Sequence, residues 1–339
     1  MAALRAVISS SQDPRVNLAL EESLFAARTG EERLLFLYSN NTSVIIGRNQ
    51  NPWFECRLPL LAERGIPLYR RLSGGGTVFH DPGNVNFSYM TPRRQFERTT
   101  ATSRVVSALT ALGIPAYLND RNDICVAGRK CSGSAYRITS SGAYHHGTLL
   151  VNADLSTLKG VLFHSPMITE AMGTASVSSP VTNLIEHRDS LDSDTVRQRI
   201  ISAFAGELAC EAEHVDAPDD SDPLYAVFSA IHEQLSSYAW TFGKTPKFTI
   251  SVPLAASNTK STLLLNIEKG HIRSLAMQGG GSTGILHEIE PVLCRVPLDM
   301  EQLRDRLERA GNRTVSRQAD RCIRELLEKL PEIVPQRAR

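Results

Sequence analysis

The sequence carries almost no charge excess: 37 lysines and arginines stand against 36 aspartates and glutamates, a formal net charge of +1 over 339 residues. Such a balance is not a polyanion-seeking surface, so nucleic-acid binding is not expected as the main task. With 42% hydrophobic residues the chain is not compositionally disordered either. Long apolar runs are missing, and no stretch reaches the roughly 18 uninterrupted residues of a membrane-spanning helix. Six cysteines are present but form no CxxC pair and no Cys/His metal spacing. Free thiols in a reducing compartment are therefore expected. Internal repeats and low-complexity tracts are absent. The first segment, MAALRAVISSSQDPRVNLALEE, shows no cleavage site and reads as a strand running into a helix. A soluble monomer with one large domain and an appendage, or with two domains, is the expectation.

What the chain does contain is concentrated at residues 70–88, RRLSGGGTVFHDPGNVNFS. Three consecutive glycines let the backbone lie directly against a ligand. Successive unpaired N–H groups in such a turn, with the Ser73 hydroxyl, form a concavity suited to a phosphate or carboxylate. A plain hairpin turn is the alternative, but it would need no paired arginines, and Arg70 and Arg71 immediately precede the glycines. A second triple glycine, Gly279 to Gly281, has no such pair and reads as an ordinary loop.

The remaining elements follow from local signals. Residues 4–9 read as a strand, and Asp13-Pro14 starts a helix with an apolar stripe of Val16, Leu20, Leu24 and Ala27. LLFLYS and SVIIGR read as adjacent strands around Asn40-Asn41, followed by a short helix in NPWFEC. A helix over 101–113 ends at Gly113. DICVAG reaches a glycine turn that carries Lys130, with SAYRIT as its partner strand. A lysine there is either a solvated turn residue or a charge clamp. In AYHHGTLL, His145 and His146 point to opposite faces, so one is expected to line core or site and the other to be solvated. Residues 160–190 are rich in Ser, Pro, Thr and Gly and read as a long mobile segment over the site. Two amphipathic helices follow, one with Val196, Ile200, Phe204 and Leu208, the other with Leu224, Val227, Ile231 and Leu235. Both are expected to pack on the sheet. A hairpin turning at Glu268-Lys269-Gly270 and helices around 299–311 and 316–330 make a second unit.

Residues 70–88 resemble the RRxSGGGxVFHDxGNxN signature of lipoate-protein ligases and related lipoyltransferases, and RNDICVAGRKCSGSAYR at 121–137 resembles their RND...GRKxSGSAYR segment. NLALEE, VIIGRNQNPWFEC, AYHHGTLLVNADLS, SSPVTNL and WTFGKTPKF match in the same order, so the resemblance runs across most of the chain. It implies an α+β fold, a mixed and largely antiparallel sheet flanked by helices, similar to biotin protein ligases and class II aminoacyl-tRNA synthetases. That catalytic domain would span 1–245, with a linker at 246–252 and a smaller C-terminal α/β domain at 253–339.

The implied activity is activation of lipoate by Mg-ATP to lipoyl-AMP. The lipoyl group then passes to a lysine on the lipoyl domains of 2-oxoacid dehydrogenase complexes or on the glycine-cleavage H protein. A transferase using a preformed lipoyl donor is the alternative. Joining a carboxylate to the α-phosphorus brings two anions together, which is why cations and backbone donors are needed. By resemblance, Arg71, Ser73, Gly74, Gly75, Gly76, Thr77, Val78 and Phe79 bind the nucleotide and acyl phosphate, with His146 in the same set. Lys130 is the catalytic cation, and Asp123 meets Mg²⁺ or ribose. The dithiolane tail would use an apolar slot near Phe87 and Tyr89. Cys131 replaces an aliphatic residue of the family and reads as a small apolar substitute, not as a thiol nucleophile. The implied compartment is the mitochondrial matrix in a eukaryote or the cytoplasm in a bacterium.

Overall fold

A computed structural model of the chain describes residues 4–169, 171–206, 210–254, 261–279, 283–311 and 316–335. These cluster into two compact units. The first comprises Met1–Arg48, Leu68–Leu158 and Ser176–Ser236; the second comprises Asn49–Pro67, Lys159–Ala175 and Ser237–Arg339.

The first unit is organised on a six-stranded sheet in the order Ser132–Ile138, Gly142–Leu150, Asn84–Pro92, Arg33–Tyr38, Leu4–Ser9, Ala212–Val215. The first three junctions are antiparallel and the last two parallel, the mixed, largely antiparallel arrangement expected. Every residue of Asn84–Pro92 and Gly142–Leu150 is buried, because helices cover both faces. On one face Val85, Phe87 and Tyr89 pack against Val105 and Leu109 of the helix Thr100–Ala111 and against Val196, Ile200 and Phe204 of Ser193–Ala205. The helix Pro14–Ala27 lies on the other face, with Phe25 edge-on to Tyr144 at 5.2 Å. As expected, Asp13 caps it by accepting from the Arg15 N–H.

Several expectations are corrected here. Ser43–Ile46 does not pair with Arg33–Tyr38; it is the centre of a separate three-stranded sheet between Leu68–Arg70 and Val78–His80. Ile124–Val126 pairs with Arg129–Lys130 through a tight turn in which Ala127 and Gly128 both have positive φ. Ser132–Ile138 pairs instead with Gly142–Leu150. The first helix buries Asn17, Leu18, Glu21 and Glu22 beside Leu20 and Leu24, while Ala27 is exposed. The stripe is therefore turned from the expected one toward two carboxylates. Tyr225–Ser236 packs mainly on the first helix and against the strand Leu68–Arg70, not on the six-stranded sheet, and buries Phe228 and Leu235 while Val227 is exposed. Leu208 lies outside the described residues.

The second unit contains an antiparallel sheet of Phe248–Leu254, Ser261–Glu268 and His271–Gly279, whose hairpin turns at Lys269 and Gly270, both with positive φ. Met300–Gly311 and Arg317–Lys329 appear as expected, and the helix Thr283–Leu293 is additional to them. Trp53, fully buried, lies against Phe242 and Phe248 at 5.1 and 5.3 Å. Gly280 and Gly281 of the second triple glycine are outside the described residues.

Candidate active site

The topology of the small sheet explains the glycine loop. Leu68–Arg70 and Val78–His80 flank Ser43–Ile46 on opposite sides, so the connection Arg71–Thr77 must cross the end of the central strand. Gly47 lies at that crossing. A Cβ there would collide with the Gly75 carbonyl oxygen and sit 3.1 Å from Gly74 O. Arg48 N donates to Ser73 O at 2.8 Å, and Arg71 N to Ile46 O at 3.0 Å.

The paired arginines are braces within this crossing. Arg70, with no exposed surface, donates through Nη1 to the carbonyls of Gly47 (3.2 Å) and Arg48 (2.9 Å). Arg71, also buried, donates through Nη2 to Gly74 O (2.6 Å) and Gly76 O (2.7 Å), through Nη1 to Ile45 O and through Nε to Ser73 Oγ. Burial pulls the Arg71 guanidinium down to about 10, which leaves it cationic at neutral pH. Within one trans peptide the C=O and the next N–H point in opposite directions. Holding the Gly74 and Gly76 carbonyls on Arg71 therefore turns the Gly75 and Thr77 N–H groups away from it. Thr77 N donates to Ser176 Oγ at 2.9 Å. Gly75 has φ +83°, and a Cβ there would be 2.9 Å from Ala135 Cβ, so the loop rests on the strand Ser132–Ile138.

A buried polar relay anchors the loop to the sheet and the first helix. Ser73 Oγ is 2.7 Å from His146 Nε2, and His146 Nδ1 is 3.0 Å from both carboxylate oxygens of Glu21. That contact assigns the Nδ1 proton to His146, donated to Glu21. Its neighbour Glu22 accepts from the Tyr144 hydroxyl at 2.7 Å and pairs with Arg137. His145 is buried too, beside Phe87 and Tyr136, so neither histidine of the pair is solvated; the strand is interior on both faces. His80 accepts at Nδ1 from Asn40 Nδ2 (2.8 Å), which leaves the ring proton on Nε2. Burial, then the Arg71 charge, lower its pKa to about 3, so it is neutral.

Between loop and sheet lies a cavity of about 350 Å³ including its open mouth. Leu18, Tyr38, Ile45, Val78 and Ala135 give it apolar walls, and Arg71, His80, Asn86, His146 and Thr148 add polar groups. Strand parity corrects the expected slot: Phe87 and Tyr89 belong to the core on the opposite face, and Asn86 faces the cavity. Phe79 is buried in the small sheet opposite Val44.

Lys130 stands at the approach to the same strand. Its Nζ pairs with Asp123 Oδ1 at 2.7 Å, and Arg121 Nε is 3.7 Å from Oδ2. Its backbone is bracketed by the segment that covers the loop: Lys130 N donates to Pro180 O (2.9 Å) and Thr182 N donates to Lys130 O (3.0 Å). Ser176, four residues before Pro180, touches Gly76 and Thr77, so one irregular strap holds the lysine hairpin and the glycine loop together. Asp123, considered for Mg²⁺, is committed to Lys130, and among the described residues no three His, Cys, Asp or Glu side chains form a metal-holding cluster. Cys131 is fully buried and its Sγ donates to Ile124 O (3.4 Å); burial pushes the thiol up to about 12, which denies it nucleophilic character. Arg48 is exposed. Sequence reasoning misses Gly47, Glu21 and Glu22, whose roles arise only from contacts across the fold.

A family model described as the lipoyl protein ligase A/B catalytic domain matches residues 13–205. Among solved structures, P. falciparum LipL1 in complex with lipoate is similar at 24% identity and a TM-score of 0.62, over 97% of this chain and 100% of that one. A lipoate-protein ligase A bound with ATP is similar at 26% identity and a TM-score of 0.59, over 71% and 98%. A bi-partite lipoate protein ligase from Thermoplasma acidophilum, described with its E2 lipoyl domain, is similar at 24% identity and a TM-score of 0.60, over 73% and 98%.

Proposed function

Because the chain belongs to the lipoyl protein ligase A/B catalytic-domain family, we propose that it activates lipoate with Mg-ATP and transfers the lipoyl group to a lysine of an acceptor domain. The observation that carries this is the glycine loop, whose Gly74 and Gly76 carbonyls are held on Arg71 while the Gly75 N–H turns the other way and the Thr77 N–H is taken by Ser176, beside an apolar-walled cavity that Arg71 also lines. The apolar walls suit an acyl chain, and the Gly75 amide suits an anionic oxygen. The lipoate, ATP and E2 lipoyl domain found with the similar proteins are carried over to this chain on that basis.

In the first half-reaction a lipoate carboxylate oxygen attacks the α-phosphorus, and the bond to pyrophosphate breaks. In the second, the acceptor amine attacks the acyl carbon, the bond to AMP breaks and the amine gives up a proton. Lys130, held by Asp123 and by the strap, supplies positive charge to the acyl carbonyl and α-phosphate oxygens as negative charge develops there. Arg71 acts by keeping the loop's amides presented, and Glu21 and Ser73 hold His146 in one orientation. Mg²⁺, when bound, would be held by the nucleotide phosphates and would offset their negative charge. Lipoyl domains of 2-oxoacid dehydrogenase complexes and the H protein are the proposed acceptors.

The test compares free lipoate plus Mg-ATP with synthetic lipoyl-AMP, each with an apo lipoyl domain, and follows the domain's mass. A lipoyl-sized gain in both arms is expected. A gain with the adenylate alone would make the protein a transferase, and no gain in either arm would overturn the proposal.

A further inference from the structure

The cavity floor holds a polar group that nothing among the described residues satisfies. Asn86 is 1% exposed, and both amide atoms, Nδ2 and Oδ1, lack a hydrogen-bond partner there. Leaving a buried primary amide unpaired costs roughly 1–3 kcal/mol, and an apolar side chain would fill the same place without that cost. The neighbouring hydroxyl, Thr148 Oγ1, accepts from Gly133 N at 3.1 Å and makes no hydrogen bond to this amide.

Register fixes where this amide stands. Gly133 pairs with Thr148, Thr148 with Asn86, and Asn86 with Tyr38, so these four residues form one row across the sheet, and all four line the cavity. Gly133 is three residues beyond Lys130, at the end where the acyl carbonyl is held on the proposed function. Asn86 lies two strand spacings from Gly133, about 10 Å, which is the reach of a medium-length acyl chain laid along the row. Leu18, Ile45 and the Tyr38 ring close the apolar walls there. The amide therefore meets the distal part of the acyl group, not its carboxyl.

We infer that Asn86 is a specificity-determining residue that donates from its amide to a sulfur of the distal dithiolane ring, and so favours a sulfur-bearing acyl group over a plain alkyl chain of the same length. A ring sulfur is a weak acceptor and suffices to engage the amide. A straight octanoyl chain offers nothing and leaves the amide buried and unpaired. This inference rests on the proposed lipoyl transfer.

The experiment offers lipoyl-AMP and octanoyl-AMP in separate reactions to the full-length protein with an apo lipoyl domain. The ratio of kcat/KM values is compared for wild type, Asn86→Leu and Asn86→Ser, with folding checked by circular dichroism. Wild type should favour lipoyl-AMP by about five- to tenfold, the worth of one modest hydrogen bond. Asn86→Leu should bring the ratio near one by raising octanoyl transfer and lowering lipoyl transfer. Asn86→Ser, which keeps a donor on a shorter arm, should fall between. An unchanged ratio in either folded variant, or an equal loss with both adenylates, would overturn the assignment while leaving lipoyl transfer intact. Absence of transfer from either adenylate by wild type would instead remove the proposed function and this inference with it.

Discussion

Gly47→Ala isolates the geometry of the glycine loop, because Gly47 belongs to the neighbouring strand's end and touches the loop only from beneath. The added methyl would collide with the Gly75 carbonyl oxygen and lie 3.1 Å from both Gly75 C and Gly74 O, so the whole peptide must recede until that contact reaches at least 3.0 Å. The displacement stretches the 2.6 and 2.7 Å bonds from Arg71 to Gly74 O and Gly76 O. Hydrogen bonds to a charged group are worth roughly 1.5–3 kcal/mol each, so partial loss of two costs about 2–3 kcal/mol at the loop. A misplacement of about 1 Å at a positioning element reduces turnover by roughly 100-fold. Gly160→Ala, on the helix Leu155–Val161 outside the loop, is the control, since a Cβ there meets only Leu60 Cδ2 at 3.9 Å. Initial rates of lipoyl-domain modification from lipoyl-AMP, read by mass, should fall about 100-fold for Gly47→Ala and stay near wild type for Gly160→Ala. Urea midpoints would check that both proteins are folded. Equal rates for Gly47→Ala and wild type would refute the view that Arg71 and the crossing strand set the loop.

Cys131→Val should leave transfer nearly unchanged, because the buried thiol is protonated at neutral pH; an acyl-thioester adduct on Cys131, together with lost transfer in the valine variant, would overturn this. Burial lowers the pKa of both His80 and His145 to about 3 from 6.5, so below about pH 6.5 the unfolded chain binds protons that the folded one refuses. Stability from these groups is therefore full above pH 6.5 and declines as pH falls toward 3, by roughly 2 kcal/mol per imidazole between pH 7 and pH 5. In urea unfolding at those two pH values, His145→Phe should show a loss smaller than wild type by about that amount, and an identical loss would contradict the burial argument.

Elements set by neighbouring residues are legible in the sequence alone. Asp13-Pro14 starts its helix, Lys269-Gly270 turns its hairpin, and RRLSGGGTVFH marks the loop, because capping and turn chemistry act within a few residues. What is not legible depends on partners distant in the chain. Alternation along NVNFSYM separates Asn86 and Ser88 from Phe87 and Tyr89 but does not say which set meets the ligand cavity when both faces are buried. His145 and His146 mislead for the same reason, since alternation implies a solvated face where none exists. Arg71 reads as a cation for a ligand, yet its donors reach backbone carbonyls, and only the crossing of Ser43–Ile46 by the loop explains why. Glu21 and Glu22 resemble ordinary helix-surface carboxylates until His146, Tyr144 and Arg137 are seen opposite them.

The most direct measurement uses Lys130→Met in the folded full-length protein, with synthetic lipoyl-AMP and an apo lipoyl domain, timed by the mass of the domain. If this ammonium group stabilises the charge that develops on the acyl adenylate, transfer falls by at least about 100-fold while the urea midpoint changes little, because Lys130 and Asp123 are only partly buried. Transfer at the wild-type rate by the methionine protein would contradict it.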